Sequence, residues 1–287
     1  MTLYRRLIRK VHRLQDLLHE YRAGDAAPNV VPVDLAHSLS RIRTAERSDD
    51  PSPHLYVEQL FSMADYARIL EALPKSDLTF DYWMDRDDDP TKGASGEYRK
   101  RYDLDLGKAS ARIPGAAGQF WLAVQQALTS KPFVRSLLDR YGDVLATRYD
   151  ASCSDEAFDQ KFGVDAFLMR HEPNYYLGPH TDRRDRMVTA IVYLPEDDRF
   201  PELGTSFFVP KEAVAPASGQ RQHFGFDRFH VQKTMRYVPN SAVIFPQTDT
   251  GFHGVLPIQK DKRVAVRYGL QVQVYDRITR SGVSSSY

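Results

Sequence analysis

Two short stretches of the chain carry side chains that can bind a metal ion and still leave it reactive. "YYLGPHTDRR" (175–184) sets His180 and Asp182 two residues apart behind a Leu-Gly-Pro turn, and "FPQTDTGFHGVLPIQKDKR" (245–263) supplies His253, Pro257 and Arg263. Two imidazoles and one carboxylate occupy one face of an octahedral ferrous ion and leave three adjacent positions open, so the set suits adding ligands rather than cross-linking a fold. Two blander readings stand beside it: ordinary loop histidines with a capping aspartate, and a three-ligand zinc site completed by water. Ten residues beyond His253, Arg263 opens a strand-like run in which alternate side chains point one way, so its guanidinium can face the same cavity as the metal. A rigid bidentate donor there suits a dicarboxylate co-substrate whose other end chelates iron. Arg267, four residues on along the same face, is the fallback for that role.

Short strands must hold these residues. From about residue 165 the chain alternates turns with "AFLMRH", "MVTAIVYL", "TSFFV", "TMRYV", "SAVIF" and "RVAVRYGLQVQVY". In the last, Val264, Val266, Tyr268, Leu270, Val272 and Val274 share one face while Arg263, Ala265 and Arg267 begin the other. The C-terminal half therefore reads as an antiparallel sandwich or barrel with most helices before it. Upstream, "LYV" reads as a strand and Ser62 with Asp65 as the capped start of a helix. Helices are predicted at roughly 33–45, 116–130 and 132–141, and 85–103 reads as a charged loop. Leu3, Leu7, Val11, Leu14, Leu18 and Tyr21 form the stripe of an amphipathic helix over 1–24, where six basic residues face Asp16 and Glu20. That helix can pack on its own domain, form a short coiled-coil homodimer, or lie on a membrane surface. Residues 25–54 read as a linker or wrapping segment.

With 287 residues and 42% hydrophobic content the chain can bury a large core, and its net charge of +1 gives no general electrostatic reason to bind nucleic acid. A single cysteine, Cys153, excludes an intramolecular disulfide and suits a reducing compartment. The chain has no apolar run long enough for a transmembrane segment, and a cytoplasmic location is expected.

Taken in order, "MRHEPNYYLGPHTD", "AIVYLPEDD", "GTSFFV", "VPNSAVIFP" and "FHGVLPIQKDKRVAVRYGLQV" resemble successive barrel segments of the prolyl-4-hydroxylase-like 2-oxoglutarate and Fe(II)-dependent oxygenases. The resemblance implies an α+β fold, a double-stranded β-helix (jelly-roll) core with N-terminal helices packed around it. The oxygenase domain would span 55–280 with its barrel at about 165–275. It implies His180, Asp182 and His253 as Fe(II) ligands and Arg263 on the distal carboxylate of 2-oxoglutarate. Fe(II), 2-oxoglutarate and O2 follow as cofactors, with ascorbate as an accessory reductant. Where family members often carry a tyrosine that helps bind 2-oxoglutarate, this chain has His171, and Tyr175 or Tyr176 can replace it. A usual Gly-Gly pair is Leu203-Gly204, and a usual Gly is Ser241.

The implied reaction is hydroxylation of an unactivated C–H bond in a small, anionic metabolite or sugar, giving succinate and CO2. Asp182 favours hydroxylation over halogenation because its carboxylate fills the position a chloride would need. Arg183, Arg184 and Arg186 are the expected substrate-binding charges, with Arg99, Lys100, Arg101, Arg221, Lys233 and Arg236 also near the mouth, although interleaved aspartates can neutralise them. A protein hydroxylase reading an extended peptide and a non-catalytic ligand-binding barrel are the alternatives. His223 and His230 read as surface histidines.

Overall fold

The strand "RMVTAIVY" shows how the chain divides its surroundings: Val188, Ala190 and Val192 enter the main apolar core, while Thr189 and Ile191 face a cavity on the other side. That is the two-residue period of a strand buried on both faces. The structure is a computed structural model and describes residues 32–74, 79–82, 101–173, 175–214, 223–257 and 266–284. The helix expected over 1–24 and Arg263 lie outside the described residues.

Among the described residues the helices are α1 (Leu35–Thr44), α2 (Met63–Glu71), α3 (Ala109–Arg112), α4 (Gly115–Thr129), α5 (Lys131–Asp139), α6 (Asp155–Lys161) and α7 (Arg277–Ser284). The strands are β1 (Arg47–Ser48), β2 (His54–Val57), β3 (Asp81–Tyr82), β4 (Arg101–Asp105), β5 (Phe162–His171), β6 (Leu177–His180), β7 (Arg186–Tyr193), β8 (Ser206–Pro210), β9 (Phe229–Thr234), β10 (Ser241–Pro246), β11 (His253–Val255) and β12 (Arg267–Asp276). They form two antiparallel sheets, one of eight strands in the order β1-β2-β10-β7-β12-β5-β4-β3 and one of four in the order β6-β11-β8-β9. The fold is thus mixed helix and antiparallel sheet. Among the described residues no helix is long and apolar enough to cross a membrane.

The helices cover the outer face of the large sheet. Ile42 of α1, Ile69 of α2, Trp121 of α4 and Leu137 of α5 share one apolar core with Leu168, Val192, Ile244 and Val272 of the sheet. Each such side chain contributes about 1.5 to 3 kcal/mol by leaving water. Helix starts are fixed by hydroxyls: Ser62, Ser130 and Ser154 accept from the amides of Asp65, Phe133 and Ala157 at α2, α5 and α6.

Two expectations are corrected. The strand predicted over "TMRYV" is instead β9, which ends at Thr234. β9 is an edge strand whose residues 230–233 are all exposed, so it shows no two-residue alternation, whereas Met235 and Tyr237 are buried in irregular chain against Tyr193 and Phe207. The end of the predicted loop 85–103 is also a strand, β4, because Arg101 and Asp103 are buried against β5 as an ion pair. Gly204 has a steric reason: a Cβ there would lie 1.7 Å from the carbonyl oxygen of Met235.

Candidate metal centre

His180, at the end of β6, and His253, at the start of β11, are register partners across an antiparallel pair. Their ring centroids are 4.3 Å apart. Asp182 follows two residues after β6, and one ligand atom from each of His180, Asp182 and His253 lies within 4.8 Å of the others. His253 Nε2 is 4.0 Å from Asp182 Oδ2.

The chain orients all three. His180 Nδ1 sits 2.9 Å from the Gly178 carbonyl and His253 Nδ1 3.0 Å from that of Gly251. A carbonyl only accepts, so each Nδ1 carries a proton and each Nε2 a lone pair, the form in which an imidazole binds a metal. Thr189 Oγ1 donates to Asp182 Oδ2 at 2.7 Å, and the Phe245 ring lies against His253 at 4.4 Å. Two oriented neutral imidazoles and one carboxylate fit a single first-row divalent ion with open positions. Gly254 makes the approach of β11 to β6 possible, since a Cβ there would lie 2.3 Å from the Leu177 carbonyl oxygen.

A cavity of about 470 Å³, its open side included, extends from this group along the inner face of the large sheet. Arg101, His171 and Arg267 occupy one rung of its wall across β4, β5 and β12. Arg101 is spoken for: it donates to both carboxylate oxygens of Asp103 at 2.9 and 3.2 Å and to Gln271 Oε1 at 2.7 Å. Arg267 is buried over the rings of Tyr237 and Tyr193, at 5.1 and 5.9 Å, and has no carboxylate within ion-pair distance among the described residues. A buried guanidinium in that condition is a site for an anion. His171 is 4% exposed and stacks on Tyr175 at 4.0 Å, with neither ring nitrogen hydrogen-bonded among the described residues. Burial, and then the charges of Arg267 and Arg101, hold its pKa well below the ordinary histidine value, so the ring is neutral.

The structure therefore brings together His180, Asp182 and His253, and lines the adjoining cavity with His171, Tyr175 and Arg267. Arg183, Arg184 and Arg186 are not in the cavity wall. The chain leaves the cavity after Asp182, and each arginine meets a carboxylate elsewhere: Arg183 with buried Asp185 at 2.6 Å, Arg184 with Asp249 at 3.4 Å, Arg186 with Asp165 at 3.2 Å. Thr189 and Gln271 were missed in sequence. Their signal was a polar residue at an inward position of an otherwise apolar strand.

Residues 166–270 match the model of the 2OG-Fe(II) oxygenase superfamily. Among solved structures, a Pseudomonas putida prolyl-4-hydroxylase is similar at 20% identity, covering 85% of this chain and 99% of that one, with a TM-score of 0.38. The non-heme alpha ketoglutarate dependent epimerase SnoN from nogalamycin biosynthesis is similar at 13% identity, with 84% and 83% covered and a TM-score of 0.44. HygX from Streptomyces hygroscopicus, solved with nickel, 2-oxoglutarate and hygromycin B, is similar at 14% identity, with 80% and 85% covered and a TM-score of 0.39. No curated protein matches the chain.

Proposed function

Because the chain belongs, through residues 166–270, to the 2OG-Fe(II) oxygenase superfamily and is an Fe(II)- and 2-oxoglutarate-dependent dioxygenase, we propose that it hydroxylates an unactivated C–H bond of a small molecule. His180, Asp182 and His253 hold the iron. With O2, bound ferrous iron and 2-oxoglutarate supply the oxidising chemistry, giving succinate and CO2 and leaving one oxygen atom in the substrate.

The chain's own part is placement. The carbonyls of Gly178 and Gly251 keep each imidazole in its metal-binding tautomer, and Thr189 keeps the Asp182 carboxylate aimed inward. Arg267 takes the distal carboxylate of 2-oxoglutarate, its fork matching two oxygens, and His171 offers a neutral ring nitrogen beside it. Leu177, Ile191, Phe245 and Val255 line the same space and exclude water. Strands β5 to β12 alternate between the two sheets, with only β8 and β9 consecutive in one, which supports reading residues 165–275 as a double-stranded β-helix.

The observation that carries the proposal is a His-Asp-His group opening into a cavity whose wall holds a buried arginine without a carboxylate among the described residues. That arginine is used by 2-oxoglutarate and Arg101 is neutralised by Asp103, so the described residues that line the cavity hold no further cation for an anionic substrate. The test is anaerobic titration of the purified protein with Fe(II), then measurement of succinate after adding 2-oxoglutarate and air. One Fe(II) per chain and succinate formation are expected. Stoichiometric zinc with no gain from added Fe(II) would overturn the proposal.

A further inference from the structure

We propose that His223 is a positioning residue for the metal centre, holding the imidazole of His180 on the flank away from His253; this rests on the reading of His180 as a metal ligand. Residues 223 and 224 run antiparallel beside β6. His223 bridges His180, and the amide of Phe224 donates to the Pro179 carbonyl at 3.0 Å. On the other side of β6, His253 is the register partner of the same His180. Three histidines thus occupy one rung across three neighbouring segments, where side chains share a face.

The rings follow the backbone. His223 and His180 stack with centroids 5.0 Å apart and planes 19° apart, while His253 meets His180 at 4.3 Å and 53°. The bond from His180 Nδ1 to the Gly178 carbonyl fixes which ring edge faces the chain, and the flat contact with His223 limits tilt about that bond. A ligand ring that cannot tilt loses less freedom when it binds an ion. His223 is not among the three residues whose ligand atoms converge, so it acts through the plane of His180 and not by a bond to the ion.

Co(II), which needs no reductant, is the probe, measured by calorimetry and by its visible absorption on full-length protein. His223→Ala is expected to weaken Co(II) binding about 10-fold, the range found for groups that orient a ligand, and to shift the Co(II) absorption bands. His223→Phe, which restores a flat ring without ligand atoms, is expected to return both to wild type. In a His180→Ala background, His223→Ala should cause no further loss, because the coupled partner is gone. Should His223→Ala unfold when metal-free, His223→Leu replaces it, filling the space without a plane. Wild-type affinity in the Ala or Leu variant, a Phe variant as weak as these, or an additive loss in the His180→Ala background would each overturn the proposal alone. Failure of the wild type to bind Co(II) would overturn the metal-centre reading with it.

Discussion

At residue scale, Arg267 and His171 do opposite work on one rung. Arg267 brings a charge that lacks a carboxylate among the described residues, and His171 brings polarity without charge. Replacing Arg267 by Ala is expected to raise the 2-oxoglutarate requirement by roughly 10- to 150-fold, the equivalent of about 1.5 to 3 kcal/mol for a lost charge-assisted contact. Gln at Arg183, Arg184 or Arg186 is expected to leave that requirement unchanged, because each is engaged outside the cavity. Steady-state titration of 2-oxoglutarate in the four variants checks both statements, and a larger effect at Arg183 than at Arg267 would reverse the assignment. His171 adds a pH dependence of stability. Its folded pKa is lowered, so below about 6.5 the unfolded chain takes up a proton that the folded chain refuses, and stability falls with pH by up to about 1.4 kcal/mol per unit. Above that value the group contributes nothing. Urea unfolding at pH 7.5 and 5.5 is expected to show wild type losing more stability than His171→Phe between the two, whereas equal losses would mean that the buried ring is protonated after all. His54, also lowered chiefly by burial, is common to both proteins and cancels.

At the scale of elements, legibility in the sequence followed the strength of the local pattern. α2 was legible through its capping Ser62, and α4 and α5 through the helical spacing of their apolar residues. β7, β10 and β12 were legible because a core on one face and the cavity on the other leave apolar runs broken only by inward polar residues such as Thr189 and Gln271. The grouping of His180, Asp182 and His253 was legible through the order of motifs that resembles the oxygenase barrel segments, not through the His-x-Asp spacing by itself. β9 and the role of His223 were not, since both depend on pairing with segments distant in sequence, and exposed edge residues carry no periodic signal. Gly254 shows how closely the elements must fit. Gly254→Ala is expected to push β11 from β6, parting His253 from His180, and to lower metal affinity more than 10-fold with helix content unchanged by far-ultraviolet circular dichroism. Co(II) titration beside the wild type decides it, and undiminished binding would mean that the two strands tolerate the wider spacing.

On the scale of the whole molecule, the large sheet separates two environments. Its outer face and the helices make the apolar core, and its inner face with the small sheet makes the cavity. The C-terminal helix α7 is tied to the same sheet: Asp165 of β5 accepts from Arg280 at 3.0 Å and from Arg186 at 3.2 Å. The order β2-β10 at one end and β5-β4 at the other has a further meaning for how the chain can be divided. Within the large sheet β10 and β5 are the outermost strands of the region that matches the superfamily model, and the residues that cover them, His54–Val57 and Arg101–Asp105, precede that region in the chain. A segment expressed from residue 160 onward would carry two bare strand borders in the large sheet, each an open template for another copy, and would also lack the Arg101 that bonds Gln271. It is expected to elute as soluble aggregate or to precipitate where the full chain elutes as one species, so a transplantable unit of this protein has to begin before β2.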